Sequence, residues 1–128
     1  MKSIFTILVA LLPFLAISQT TAIPDPIFEQ ALIDLEYDDV LDGSVATANI
    51  NPVINLEVDN LGINDLTGIE AFTSLKTLEC DNNNLTSLNV TNLTSLQFLG
   101  CHYNNLSTLD VSSLSSLSDL NCGGNNLT

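Results

Sequence analysis

The sequence predicts a solenoid of stacked coils, and three observations support that fold class. Residues 73–128 repeat one phrase with a period of 21, as TSLKTLECDNNNLTSLNVTNL, TSLQFLGCHYNNLSTLDVSSL and the shorter SSLSDLNCGGNNLT. Apolar residues recur at the same offsets in each copy. A unit of this length cannot bury its apolar face alone, so each copy must stack on the next.

The first residues are typical of a secretory signal peptide. Lys2 precedes an apolar run over residues 4–17, and the small-residue sequence 16–18 is a suitable cleavage site. The run contains Pro13 and is shorter than the roughly 20 residues that span a bilayer, although a membrane anchor stays an alternative. We therefore expect residues 1–18 to be removed, leaving a secreted or cell-surface protein that is not inserted in the membrane.

Residues 19–50 are predicted to form an N-terminal cap that contains one helix. After a short linker over residues 20–23, Asp25 is a good N-cap, Pro26 suits the first helical position, and Glu29 lies in the first turn. An apolar stripe of helical spacing follows, made of Ile27, Phe28, Ala31, Leu32 and Leu35. We expect this stripe to cover the open end of the solenoid, because repeat arrays need atypical ends.

An acidic loop, EYDDVLDG over residues 36–43, follows the helix. Asp38, Asp39 and Asp42 resemble the start of a calcium loop, but the alternating ligands and closing Glu of an EF-hand are missing. The loop is therefore expected to be solvated.

The repeats are assigned to residues 51–72, 73–93, 94–114 and an incomplete 115–128. In LKTLEC, Leu78 and Cys80 alternate with Thr77 and Glu79, which is the period-2 pattern of a strand with one buried face. Each coil should give one short strand, paired in parallel with its neighbours about 4.8 Å away. The second half of each coil has few helix formers and is predicted to be irregular.

An asparagine follows each of the last three strands, at positions 83, 104 and 125. Its amide can satisfy backbone groups that lose their ladder partners where the chain bends inward. Leu61 stands at the equivalent position of the first coil, so that coil is expected to be transitional.

The repeats LKTLECDNNNLTSLNV and LQFLGCHYNNLSTLDV fit the pattern LxxLxCxxNxLTxLxV. They are leucine-rich repeats, and they resemble the cysteine-bearing repeats of secreted Bacteroidota surface proteins. The segments IPDPIFEQALIDLEYDD and INDLTGIEAFTSL resemble the N-terminal cap and first coil of those proteins, and the second is similar to internalin-type repeats.

This resemblance covers residues 23–128. It implies a leucine-rich-repeat solenoid with a short parallel β-sheet on its concave face, a non-helical convex side and a helical cap. It also implies an exported protein that acts by binding. The last copy ends in mid-repeat without a C-terminal cap or a sorting domain, so we expect a fragment of a longer protein.

Composition limits the possible partners. The formal charge is −13, with two lysines and no arginine, so the chain cannot neutralise phosphate groups. Nucleic acids and anionic membranes are therefore poor partners. A basic protein, a divalent cation or a neutral glycan fits better.

The sequence offers no catalytic constellation. Cys80, Cys101 and Cys122 recur in register at a leucine-like position and are predicted to be buried free thiols, since neither disulfide pairs nor metal-ligand spacing is present. Cys101 and His102 are adjacent on a strand and should point to opposite faces, so they cannot share a proton. We expect a protein that is not an enzyme.

One face of the predicted sheet is the candidate binding surface. Its aromatic or imidazole groups are Phe98, His102 and Tyr103, at offsets where other coils have Thr, Asp, Asn or Gly. Gly100 and Gly123 are expected to leave open space beside them. The candidate ligand-binding residues are Phe98, His102, Tyr103, Glu79, Asp81, Asp119 and Asn121. A chance cluster on a solvated sheet is the alternative.

Four carboxylates of the first two coils, Glu57, Asp59, Glu79 and Asp81, should lie side by side and form a weak candidate Ca²⁺ site. A basic partner would relieve the same repulsion, and simple solvation is the alternative. The predicted function is a surface module that binds a protein or glycan. A structural spacer, or an accessory repeat region of a larger secreted protein that carries an enzyme, is the other possibility.

Overall fold

The computed structural model describes residues 17–128, so the predicted signal peptide lies outside the described residues except for positions 17 and 18. Within the described residues, no helix is both long and apolar enough to cross a membrane. The chain forms a small N-terminal cap followed by a stack of coils.

Four coils contribute one short strand each to a parallel sheet. In chain order these strands are β3 (Asn55–Glu57), β4 (Thr77–Glu79), β5 (Phe98–Gly100) and β6 (Asp119–Asn121), and their order in the sheet is the same. The register places Leu56, Leu78, Leu99 and Leu120 on one line across the strands. The predicted leucine-rich-repeat solenoid with its parallel sheet is therefore confirmed.

Behind the sheet runs one continuous apolar core. The three leucines of this line in the first three coils, Leu56, Leu78 and Leu99, are at most 1% exposed, whereas Leu120 of the last coil is 42% exposed. Each coil is thus buried by the coil that follows it, as expected for a stacked array. The described part of the chain leaves the core side of the last coil open to solvent.

Buried asparagines link neighbouring coils. The Asn104 amide donates to the carbonyls of Cys80 and Cys101, at 3.0 and 3.1 Å, and its oxygen accepts from the backbone N–H of Leu85 at 3.0 Å. Each of those carbonyls also accepts from a second asparagine, Asn83 or Asn125, so that one carbonyl serves two coils. The predicted role of these amides is confirmed.

The cap is more ordered than the sequence predicted. The predicted helix is present as α1 (Pro26–Asp34), but residues 20–23, expected to be a linker, contain strand β1 (Thr20–Ala22), which pairs antiparallel with β2 (Ser44–Ala46). A short helix, α2 (Thr47–Ile50), leads into the first coil. The linker prediction was wrong because three-residue strands give too little alternation to be recognised.

Asp25 and Glu29 join the pieces of the cap. One Asp25 oxygen caps α1 through the N–H groups of Ile27 and Phe28, and the other accepts from Asn64 and Asp65 of the first coil. Burial alone would raise the pKa of Asp25, but these four backbone hydrogen bonds lower it below its usual value.

Glu29 is 2% exposed, and its Oε1 atom accepts from the backbone N–H groups of Asp42, Gly43 and Ser44. The end of the acidic loop is therefore fixed to α1 by a buried carboxylate. The expectation of a fully solvated loop holds only for its exposed side chains, such as Asp39 and Asp42.

Two further expectations need correction. The predicted apolar stripe of α1 is only partly covered, because Ile27 and Leu35 at its two ends are 39% and 42% exposed. The convex side is also not wholly without helix, since Ile69–Ala71 of the first coil forms a 3₁₀ turn that starts after Gly68. Gly68 has φ +104°, and a Cβ there would overlap Ile23 and the carbonyl of Ala22.

Candidate ligand-binding face

The outward side chains of the four strands form a surface that we call the concave face. Strand register aligns them in three rows, which are Asn55, Thr77, Phe98 and Asp119, then Glu57, Glu79, Gly100 and Asn121, then Asp59, Asp81, His102 and Gly123. Tyr103 follows directly beyond the third row. The structure therefore brings together all seven residues that the sequence nominated for ligand binding.

The third row is held by side chains that bind the next coil. Asp59 Oδ1 accepts from the backbone N–H of Asp81 at 2.6 Å, and Asp81 Oδ1 accepts from that of His102 at 2.7 Å. Asp81 is consequently only 8% exposed. The sequence placed this carboxylate correctly on the outward row. Its contact with the backbone makes it less accessible to solvent than a carboxylate that has no such contact.

His102 lies at the centre of the polar part of the site. Its Nδ1 atom is 2.7 Å from Asp81 Oδ1 and 3.1 Å from the side-chain nitrogen of Asn121. The imidazole packs edge to face against Tyr103, with ring centroids 4.9 Å apart. These contacts fix the ring orientation, so that His102 is presented in one defined position on the face.

Tyr103 is the most exposed aromatic residue of the face. Its side chain is 63% exposed, and its backbone is left-handed with φ +50°. Equivalent positions in the other coils are Asn60, Asn82 and Gly124, which adopt φ values of +59°, +54° and +67°. Asparagine and glycine tolerate this conformation, whereas a bulky aromatic residue there is uncommon.

Gly124 provides the space for the tyrosine ring. A Cβ at position 124 would overlap the ring of Tyr103, so a larger residue in the fourth coil would displace it. This role of Gly124 was not predicted from the sequence. The signal was present, because position 124 has glycine where two earlier coils have asparagine.

Gly100 does not leave the open space that the sequence suggested. It is buried, and a Cβ there would lie 3.1 Å from Asp81 Oδ2 and 3.2 Å from Phe98 Cε1. The space that a side chain at position 100 would take is therefore occupied by the half-buried Phe98 ring and the Asp81 carboxylate. Gly123 is open as expected, since a Cβ at that position would have no neighbouring atom within 4 Å.

The carboxylates of the first two coils act on one another. Burial, followed by the charges of Asp59, Glu57 and Asp81, raises the pKa of Glu79. Burial also raises the pKa of Asp59. The charges of Asp81 and Glu57 raise this pKa further, whereas the hydrogen bond from the backbone N–H of Asp81 lowers it. This end of the face is therefore a region of unrelieved negative charge.

The candidate Ca²⁺ site gains no support from the geometry. Between residues 17 and 128, no three His, Cys, Asp or Glu side chains are grouped so that they could hold a metal ion. Asp59 and Asp81 each use one oxygen on a backbone N–H, which directs these carboxylates along the sheet rather than toward a common centre.

The cysteines lie on the other side of the sheet. Cys80 and Cys101 are fully buried, Cys122 is partly exposed, and all three are free thiols. Burial raises the pKa of Cys101 to about 12 and that of Cys80 well above its ordinary value. His102 faces away from Cys101 and, in the described part of the chain, is hydrogen-bonded to no hydroxyl or thiol.

A second surface feature lies on the cap. An apolar groove of about 340 Å³ runs beside α1 and is lined by Pro26, Ile27, Gln30, Ala31, Asp34 and Leu61. Its two polar lining side chains, Gln30 and Asp34, are hydrogen-bonded to each other. Since specific sites combine apolar contact with a few placed polar groups, the concave face is the better candidate.

Comparison with known proteins supports this architecture. No protein-family model matches the chain, and the comparison with curated proteins gives no match. Among solved structures, the functional domain of InlJ from Listeria monocytogenes, described as including a cysteine ladder, is 33% identical with a TM-score of 0.77 over 87% of this chain.

Two other structures from the same organism share the fold. The internalin InlF is 22% identical with a TM-score of 0.74 over 84% of this chain, and internalin C2 is 19% identical with a TM-score of 0.51 over 85%. The chain spans 25% of the InlJ domain and 32% of the InlF structure. The repeats, the cap and these comparisons together show that the chain is a leucine-rich-repeat solenoid similar to those of the internalins.

Proposed function

We propose that this chain is a recognition module of a secreted or cell-surface protein, that it binds a protein or glycan partner through the concave face, and that it acts without catalysis. The observation that carries the proposal is Tyr103, a 63% exposed aromatic residue at a left-handed position that the other coils fill with asparagine or glycine. Strained residues that the surrounding structure maintains are concentrated at binding sites.

The neighbours of Tyr103 favour a binding role. Phe98 adds a second, half-buried ring, and His102 is fixed between Asp81 and Asn121. Aromatic rings surrounded by oriented polar groups can stack on a sugar ring or hold a partner's side chain. The similarity to InlJ and InlF supports the solenoid on which this surface is built.

The test is a screen of the purified protein on glycan and protein arrays, followed by affinity measurements on variants. Tyr103→Asn removes the ring but keeps a residue that the other coils use at this position, so the fold should be retained. We expect this variant to lose at least about tenfold in affinity, and Phe98→Ala to be weakened as well.

Leu41→Ala is the matched control, because Leu41 is an apolar side chain, 52% exposed, on the cap. It should bind like the wild type. Wild-type affinity in both Tyr103→Asn and Phe98→Ala, with unchanged circular dichroism spectra, would place the site elsewhere. Failure to find any ligand would favour the structural-spacer interpretation.

A further inference from the structure

The concave face has negative charge with almost no compensation. It carries five carboxylates, Glu57, Asp59, Glu79, Asp81 and Asp119. Among residues 17–128, the single contact within 4 Å between a carboxylate and a basic side chain joins Asp81 to the imidazole of His102. Lys76, the one Lys or Arg residue in this range, forms no ion pair. The face is therefore complementary to a cationic partner.

Glu57 and Glu79 are the least compensated of these acids. They are register partners on β3 and β4, so their side chains leave the sheet side by side on neighbouring strands. Neither carboxylate is hydrogen-bonded in the described part of the chain, in contrast to those of Asp59 and Asp81. Like charges directly opposite each other on a sheet are destabilising, and one cation between them would change repulsion into attraction.

The aromatic end of the face is within reach of the same ligand. Tyr103 lies on the next coil, three residues beyond Gly100, the register partner of Glu79. It is therefore displaced from Glu79 by about 5 Å across the sheet and roughly 10 Å along the strand direction. On the same side of an extended peptide, side chains two positions apart are separated by about 7 Å and side chains four positions apart by about 13 Å. Such a peptide can place a basic side chain between the glutamates and an apolar or aromatic side chain on Tyr103.

We infer that the partner of the concave face is a basic protein segment, whose Lys or Arg side chain lies between Glu57 and Glu79 while a side chain about four positions away in the segment packs on Tyr103. This inference rests on the proposed function and specifies its partner. A neutral glycan would stack on Tyr103 but would leave the two glutamates uncompensated. A basic segment uses both ends of the face.

The experiment selects a display library of random short peptides on the immobilised protein. We expect enriched sequences to contain Lys or Arg with an apolar or aromatic residue about four positions away. A synthetic peptide of the enriched sequence is then compared with the same peptide in which citrulline, a neutral isostere, replaces arginine, or norleucine replaces lysine. The neutral form should bind at least about tenfold more weakly.

Matched variants separate site binding from general attraction to an acidic protein. Glu57→Gln with Glu79→Gln removes two charges from the face, and Glu36→Gln with Asp39→Asn removes two exposed charges from the cap loop. The first pair should weaken the peptide by about tenfold and the second by less than about twofold.

Equal weakening by both pairs, or enrichment of uncharged peptides, would overturn the inference. A glycan or protein found on arrays that needs Tyr103 but binds the Glu57→Gln, Glu79→Gln variant normally would overturn this inference and leave the proposed function intact. Unchanged binding of both the peptide and the array ligand to Tyr103→Asn would overturn both.

Discussion

Replacing Asn104 by alanine tests how the coils are held together. The change removes the one hydrogen-bond partner that the Leu85 N–H has in the described structure and one of two partners from each of the Cys80 and Cys101 carbonyls. An unsatisfied buried N–H costs about 1 to 3 kcal/mol, and each lost bond that leaves a second partner costs about 0.5 to 1.5. We therefore expect the free energy of unfolding to fall by about 2 to 6 kcal/mol.

Urea unfolding followed by circular dichroism measures this loss. Asn105→Ala is the control, because Asn105 is the exposed neighbour of the same residue type and its side chain makes no hydrogen bond in the described structure. It should change the free energy of unfolding by less than about 0.5 kcal/mol. Equal stability of the two variants would refute the assigned role of the asparagine ladder.

Three further predictions follow from single sites. Tyr103→Asn should leave the melting temperature unchanged or raise it by up to about 4 °C, since asparagine tolerates the left-handed backbone better; a clear fall in a thermal melt would contradict this. Asp25→Asn should cost about 2 to 4 kcal/mol at pH 7 in urea unfolding. Because the folded pKa of Asp25 is lowered, its contribution is complete above the unfolded value near 4 and is lost as pH falls through the folded pKa; a deficit that is independent of pH would be inconsistent with this. Maleimide labelling of native protein at pH 8 should modify Cys122 before Cys80 or Cys101, which are buried, and mass spectrometry would detect any early labelling of the buried pair.

The solenoid was predictable because its signals are periodic. The alternation around Leu78 and Cys80 appears in every coil, and each copy reinforces the others, so strand positions and register follow from the 21-residue period. The cap carries no such repetition. Its strands β1 and β2 are three residues long, and the Glu29 contacts join α1 to a loop 13 to 15 residues away, which local patterns do not encode.

The candidate site was predictable as a set of rows but not in its details. Register alone placed Phe98, His102 and Asp119 on one face. The burial of Asp81 depends on the contact of its side chain with the backbone of the next coil. The space beside Gly100 is occupied because of the conformations that the neighbouring side chains adopt. These features depend on three-dimensional packing between coils, which a residue's offset in the repeat does not specify.

Ligand binding by the concave face around Tyr103 can be tested residue by residue. The most direct measurement is backbone amide NMR of the protein titrated with a ligand from the arrays or the peptide selection. The largest shifts are expected at residues 98–103 and on the flanking strands over 77–81 and 119–124, with shifts at 55–59 as well for the basic peptide, and none on the convex side over residues 86–92. Shifts confined to α1 and Leu61 would show that the cap groove is the binding site and would contradict binding at the concave face.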